Sequence, residues 1–160
     1  MGKWVSMSNT VIWLVVTGCT DGIGKAVAEE LAAHGISLVL ISRTQSKLDE
    51  QARELSGKFK IETKVYAMDF SSPDLSMFDR VKEFLEDLDV GILSKQEVQS
   101  KWRCSVNNVG MSYDHAEYFN QLEKEKIENL IRINIFGTTH MTYMVLPGML
   151  ERFEFHLIWT

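Results

Sequence analysis

Thr17-Gly18-Cys19-Thr20-Asp21-Gly22-Ile23-Gly24 is the stretch whose residue types and spacing most plainly suit chemistry. Glycines let a backbone turn tightly and come close to a ligand that a side chain would hold off. If a helix starts within this turn, its first N–H groups and the positive end of its dipole face any phosphate lying there. A phosphate cradle is the expectation, and an ordinary strand-to-helix turn with convenient glycines is the alternative. Asp21 has two readings as well: a ligand contact, or the cap of a helix beginning at Gly22.

About 20 residues past the glycines, a dinucleotide site built for a free ribose 2′-hydroxyl carries an acid. Here the position reads Ile41-Ser42-Arg43. A carboxylate would repel a 2′-phosphate, whereas a guanidinium pairs with it through two parallel hydrogen bonds. NADP(H) is therefore expected over NAD(H), against the plainer reading of Arg43 as a solvated arginine after a strand.

These candidates need elements to position them. Val11 to Val16 is a continuous apolar, β-favouring run, as in a strand buried on both faces. Ile23, Val27 and Leu31 then fall at i, i+4, i+8, one stripe of a helix that Gly35 can end. Ser37 to Ile41 reads as a second strand, Leu48, Ala52, Leu55 and Phe59 as a second helix, and Ile61 to Met68 as a third strand. Ser71-Ser72-Pro73-Asp74 opens a third helix marked by Leu75, Phe78, Val81, Leu85 and Leu88. Val90-Gly91-Ile92-Leu93 begins a fourth strand, and Leu122 to Leu150 reads as one long helix with its stripe at Ile127, Leu130, Ile131, Asn134 and Thr138. Successive strand–helix units imply an α/β, Rossmann-type doubly wound parallel sheet in one domain, of about four strands plus the long helix.

Composition narrows the function classes. The chain has 160 residues, 45% hydrophobic and 24% charged, with 17 basic against 22 acidic side chains and a net charge of −5. A net acidic chain without a basic run is a poor nucleic-acid binder, so no nucleic-acid partner is expected. Cys19 and Cys104 form no CxxC pair, which suits a reducing compartment, and the cytoplasm is the expectation from the chain alone. The apolar run at Val11–Val16 is too short to span a bilayer, and no signal peptide or transmembrane segment is expected. His34, His115, His140 and His156 lack metal-ligand spacing, so no metal site is expected. Ser112-Tyr113-Asp114-His115 holds the residue types of a hydrolytic triad, but sequence neighbours rarely converge, and it reads as a loop.

The same residues resemble the short-chain dehydrogenase/reductase family. Thr17 to Gly24 is similar to its TGxxxGIG turn, and Asn107-Asn108-Val109-Gly110 is similar to its NNxG motif after the fourth strand. Leu40 to Arg43, Val106 to Tyr113 and Val145 to Arg152 narrow the resemblance to its branch of very-long-chain 3-oxoacyl-CoA reductases. The resemblance implies that Gly18, Gly22 and Gly24, with Thr20, Asp21 and Ile23 between them, form the pyrophosphate turn. Ser42 and Arg43 would meet the 2′-phosphate, Asp69 the adenine, and Asn108 and Gly110 the cofactor floor. Asn134 matches the family's catalytic asparagine, which helps hold a water in its proton relay. As a polar residue on the apolar stripe it is expected to be buried and partnered, with a purely structural asparagine as the alternative.

The family's proton donor is a tyrosine with a lysine four residues on. The residues four after Tyr66, Tyr113, Tyr118 and Tyr143 are Phe70, Glu117, Leu122 and Pro147, and the serine that would orient the carbonyl has no match. Residues 6–14 and 94–105 depart from the pattern as insertions, and 153–160 as an unrelated tail, leaving 1–152 as a partial NAD(P)-binding domain. The expected picture is a fourth strand left at an open, aggregation-prone edge, with 94–105 looped out, as in a truncated or splice-derived copy. Three functions compete. One is an NADPH-dependent reductase of 3-oxoacyl-CoA thioesters or 17-ketosteroids, at the endoplasmic reticulum by resemblance. The second is a catalytically dead NADP-binding remnant. The third is an interaction module whose helix 122–150 pairs with another copy or an intact paralogue.

Overall fold

The computed structural model describes residues 13–87, 102–150 and 156–159. The chain order is β1 (Trp13–Thr17), α1 (Gly22–Ala33), β2 (Ser37–Ser42), α2 (Gln45–Phe59), β3 (Thr63–Ala67), α3 (Ser76–Asp87) and β4 (Trp102–Asn107). A short 3₁₀ turn (Phe119–Gln121) then leads into α4 (Lys124–Ile131), a π-helical turn (Arg132–Gly137), α5 (Thr138–Leu150) and β5 (His156–Trp159). All pairings are parallel, and the strand order is β3-β2-β1-β4-β5.

The sheet is central because its strands bury both faces. β1 is buried at every position, and its side chains alternate between two cores. Trp13 and Val15 join Val39 and Ile41 of β2, with Phe78 and Val81 of α3 and Met141 and Val145 of α5. Leu14 and Val16 face the other way with Leu38, Leu40 and Val106, covered by Ala28 and Ala32 of α1 and Leu48 and Leu55 of α2. Helices on both faces of a parallel sheet make the doubly wound fold that the alternation of strand and helix implies. α1 ends at His34, followed by Gly35 at φ +76°, a left-handed position that favours glycine.

Two expectations about the fourth strand are corrected. The fourth strand of the sheet is Trp102–Asn107, so residues 102–105 pair with β1 instead of looping out; Val90 to Leu93 and the rest of 94–105 lie outside the described residues. The pairing carries a register shift: Trp13 pairs with Trp102 and Leu14 with Cys104, so one extra residue bulges in β4. Trp13 and Leu14, within the apolar run expected as the first strand, belong to β1, while residues 6–12 lie outside the described residues. Finally β4 is not left at an edge. Residues 156–159 of the supposed tail form β5, which pairs with β4 from Cys104↔His156 to Asn107↔Trp159 and so satisfies the backbone groups that would otherwise be exposed.

The long helix is also not uniform. The π-helical turn inserts an extra residue into the spiral and rotates the buried face. Before it, Ile131 of the expected stripe is 44% exposed; from its last residue on, buried Gly137, Met141 and Val145 recur every four residues. Among the described residues no helix is long and apolar enough to cross a membrane, and no cluster of three His, Cys, Asp or Glu side chains could hold a metal ion.

Candidate functional site

The site lies at the carboxyl ends of β1, β2 and β4, where a doubly wound sheet opens a crevice at its change of direction. Thr17, the last residue of β1, ties two strands together: its Oγ1 donates to the Val106 carbonyl (3.3 Å) and accepts from the backbone N–H groups of Asn108 (3.0 Å) and Val109 (3.3 Å). Gly18 follows at φ +61°, its N–H donating to the Ile41 carbonyl at 2.8 Å. Asn108 Nδ2 donates to the Gly18 carbonyl at 3.1 Å. The turn is thus strung between the ends of β2 and β4, which places Asn108 directly beneath it.

Gly24 explains why the third glycine is needed. A Cβ there would lie well inside van der Waals contact of both the Gly18 carbonyl oxygen and Asn108 Nδ2, so α1 can pack this closely only without a side chain. Gly22 serves a different purpose, a left-handed φ of +51° with open space around it. Asp21 caps α1, its Oδ1 accepting the Gly22 N–H at 2.7 Å. Ile23, assigned to the buried stripe by its spacing, is 65% exposed; Val27 and Leu31 pack against the core while Ile23 stays at the mouth of the turn.

The end of β2 meets the turn through hydroxyls. Thr20 Oγ1 and Ser42 Oγ lie 2.8 Å apart, and Arg43 next to them is exposed, with no hydrogen bond or ion pair among the described residues. Asp69 stands after β3, exposed, with Oδ1 accepting the Ser71 N–H (2.9 Å) and the Ser71 hydroxyl (2.7 Å). Its second carboxylate oxygen is the one able to accept from a ligand. Gly110 is exposed beyond Asn108, and an added Cβ there would meet Asn134 Oδ1 only at an ordinary 3.6 Å.

Asn134 differs from expectation. It is exposed, and its amide makes a two-bond clamp on one residue of the loop after β4: Oδ1 accepts the Met111 N–H and Nδ2 donates to the Met111 carbonyl, both at 2.8 Å. The polar stripe position is thus satisfied by backbone, not by burial, because the π-helical turn swings it off the core face. Sequence reasoning placed Thr17 in the turn without giving its hydroxyl a role, and missed Arg132, described below. Only a hydroxyl directly before a glycine turn could have marked Thr17.

Cys19 lies fully buried in the turn, its Sγ 3.7 Å from the Ile41 carbonyl. Burial pushes its thiol up to about 12, with backbone hydrogen bonding pulling weakly the other way. In the unfolded chain the thiol ionises near ~8.5. The unfolded state therefore releases its proton at lower pH, so the stability tied to the neutral thiol is intact below that value and is lost as pH rises toward the folded value. We expect the chain to lose up to about 1.4 kcal/mol per pH unit in this alkaline window relative to Cys19→Ala. Urea unfolding of both proteins across the window measures this; parallel slopes would show that the thiol is not held neutral.

A glycine turn between a central strand and a helix N-terminus, at the switch point of a doubly wound parallel sheet, defines a dinucleotide-binding protein. The family model of the short chain dehydrogenases matches residues 12–158, and the chain belongs to that family. The human very-long-chain 3-oxoacyl-CoA reductase is 49% identical over 144 residues, covering 88% of this chain and 41% of that protein. The human inactive hydroxysteroid dehydrogenase-like protein 1 is 44% identical over 140 residues, covering 88% of this chain and 38% of that protein. The chain thus spans about two fifths of the length of these curated relatives. Among solved structures, L-sorbose reductase from Gluconobacter frateurii, complexed with NADPH and L-sorbose, superposes with a TM-score of 0.75 at 26% identity, covering 97% of this chain and 54% of that one.

Proposed function

We infer that the chain forms the NADP(H)-binding half of a reductase that acts on the ketone of a 3-oxoacyl thioester or a ketosteroid. The observation that carries this is the turn itself, where the Gly24 backbone is packed against Gly18 and Asn108, with the Thr20–Ser42 hydroxyl pair and the exposed Arg43 beside it. These residues fit a cofactor with one more phosphate than NAD: the amides at the start of α1 take the pyrophosphate, and Arg43 takes the 2′-phosphate. When bound, the cofactor supplies a hydride; Asn108 and the Asn134–Met111 clamp shape the floor beneath it. The kinship to a very-long-chain 3-oxoacyl-CoA reductase and to a sugar reductase holding NADPH supports the same reading and favours acyl-CoA as the substrate class. The endoplasmic reticulum is the compartment that this substrate class suggests.

Arg43→Asp is expected to weaken NADPH by roughly tenfold to a hundredfold and NADH much less, since only NADPH carries the 2′-phosphate. Titration of both cofactors against both proteins is the test. Equal weakening would make Arg43 a structural residue, and no binding of either cofactor by the unmodified chain would end the proposal.

A second reading is favoured by the surface of the long helix. Ile131, Ile135, Phe136 and Tyr143 are 44%, 59%, 45% and 79% exposed along it, a run of large apolar groups suited to pairing with a second copy or a related intact chain. A sedimentation mass of a single chain at micromolar concentration, with or without such a relative, would remove this reading.

A further inference from the structure

We propose that Arg132 is a positioning residue for the adenine end of the site, fixing the loop that carries Asp69 by gripping the backbone of Ser71. The proposal rests on the reading that the site takes NADP(H), with Asp69 at the adenine end as the family resemblance implies. Arg132 Nη1, partly buried, donates to the Ser71 carbonyl at 3.2 Å and to Asn129 Oδ1 at 3.2 Å. Asp69 holds the same residue from the other side, through the Ser71 N–H and hydroxyl. Ser71 is therefore held at all three of its polar groups, and the carbonyl contact is of the stronger, charge-assisted kind. The orientation of the Asp69 carboxylate, with one oxygen committed to Ser71, follows from where that loop sits.

The π-helical turn is what aims Arg132 there. Five residues further on, Gly137 is buried against Phe70, whose ring lies 2.8 Å from the position of an added Cβ. In an α-helix, residues five apart point about 140° away from each other, whereas a turn closed by i→i+5 hydrogen bonds brings them over one another. Arg132 and Gly137 consequently meet the same loop, at Ser71 and Phe70. Asn134, two residues after Arg132 and so on a different face, meets Met111 after β4. One turn of helix thus fixes the spacing between the loop at the adenine end and the loop below the turn.

The test uses the full chain and 2′,5′-ADP, the adenine half of the cofactor, with amide hydrogen exchange of residues 69–72 read on the free protein. Arg132→Met keeps the length of the side chain and removes its donors. It is expected to weaken 2′,5′-ADP about tenfold, the loss typical of one charged hydrogen bond, and to speed exchange at Ser71 and Ser72. Arg132→Lys restores most of the affinity. Arg80→Met, which cuts the Arg80–Asp74 pair (3.0 Å) at the far end of the same loop, leaves the affinity unchanged. Unchanged affinity in Arg132→Met overturns the proposal, whether or not exchange speeds up. If that variant fails to fold, Arg132→Lys decides: affinity and exchange both equal to those of a lysine-free alternative, Arg132→Gln, overturn it. Failure of the unmodified chain to bind 2′,5′-ADP would instead remove the cofactor reading itself, and the proposal with it.

Discussion

Gly24→Ala is expected to destabilise the chain by about 3 kcal/mol or more and to abolish measurable cofactor binding, although alanine is the better helix former. Propensity alone predicts the opposite sign, a gain of up to about 1 kcal/mol for replacing glycine inside α1. Packing overrides it. The new methyl would press on the Gly18 carbonyl, which accepts from Asn108 Nδ2, in a residue whose own N–H is tied to the Ile41 carbonyl. Either the turn or the whole helix must move, and overpacking of this kind typically costs about 1–3 kcal/mol, more where backbone has to give. Gly22→Ala is the comparison. Nothing lies within 4 Å of its added Cβ, so only the left-handed φ is penalised, by about 1–2 kcal/mol. Thermal and urea unfolding of the two variants decide the matter. Gly24→Ala as stable as the parent chain would mean that α1 does not approach the turn as closely as described.

The 160-residue polypeptide is expected to bind NADPH without oxidising it in the presence of a 3-oxoacyl-CoA or a ketosteroid. Hydride transfer to a ketone places negative charge on its oxygen, and a positioned acid that protonates it supplies a factor of roughly 10²–10⁴. None of the four tyrosines is followed four residues later by a lysine. Tyr113, Tyr118 and Tyr143 are 49%, 77% and 79% exposed, and Tyr66 packs on the Phe84 ring at 4.9 Å. Asn134 cannot take over, because a neutral amide is a very weak acid and both of its polar atoms are committed to Met111. Loss of nicotinamide absorbance, followed with and without substrate, measures turnover. Substrate-dependent oxidation that disappears in Asn134→Ala would show that another group of this chain delivers the proton.

Much of this protein is legible in its sequence because the signals are local. Buried parallel strands are continuous apolar runs, so β1, β2 and their neighbours announce themselves, and a glycine-rich stretch between an apolar run and a helical stripe marks the turn. The cation after β2, Arg43, is what carries the expectation of a 2′-phosphate, through charge alone. Spacing even shows Asn134 to be out of place on an apolar stripe. What the sequence could not determine depends on register and on backbone partners. The departure before Asn107 reads as an interruption, yet residues 102–105 pair with β1, and only the sheet shows where the one bulged residue of β4 falls. Residues 156–159 read as part of an unrelated tail, yet they pair with β4 as β5, and the family match runs through residue 158; the pairing partner lies about 50 residues away in the chain and only the sheet brings the two together. A π-helical turn leaves no reliable trace in composition, since it arises from one extra residue accommodated by tertiary packing around Gly137 and Phe70. That single residue decides that Asn134 faces Met111 instead of the core and that Arg132 reaches Ser71, contacts no periodicity could foretell because their partners are backbone atoms of loops distant in the chain.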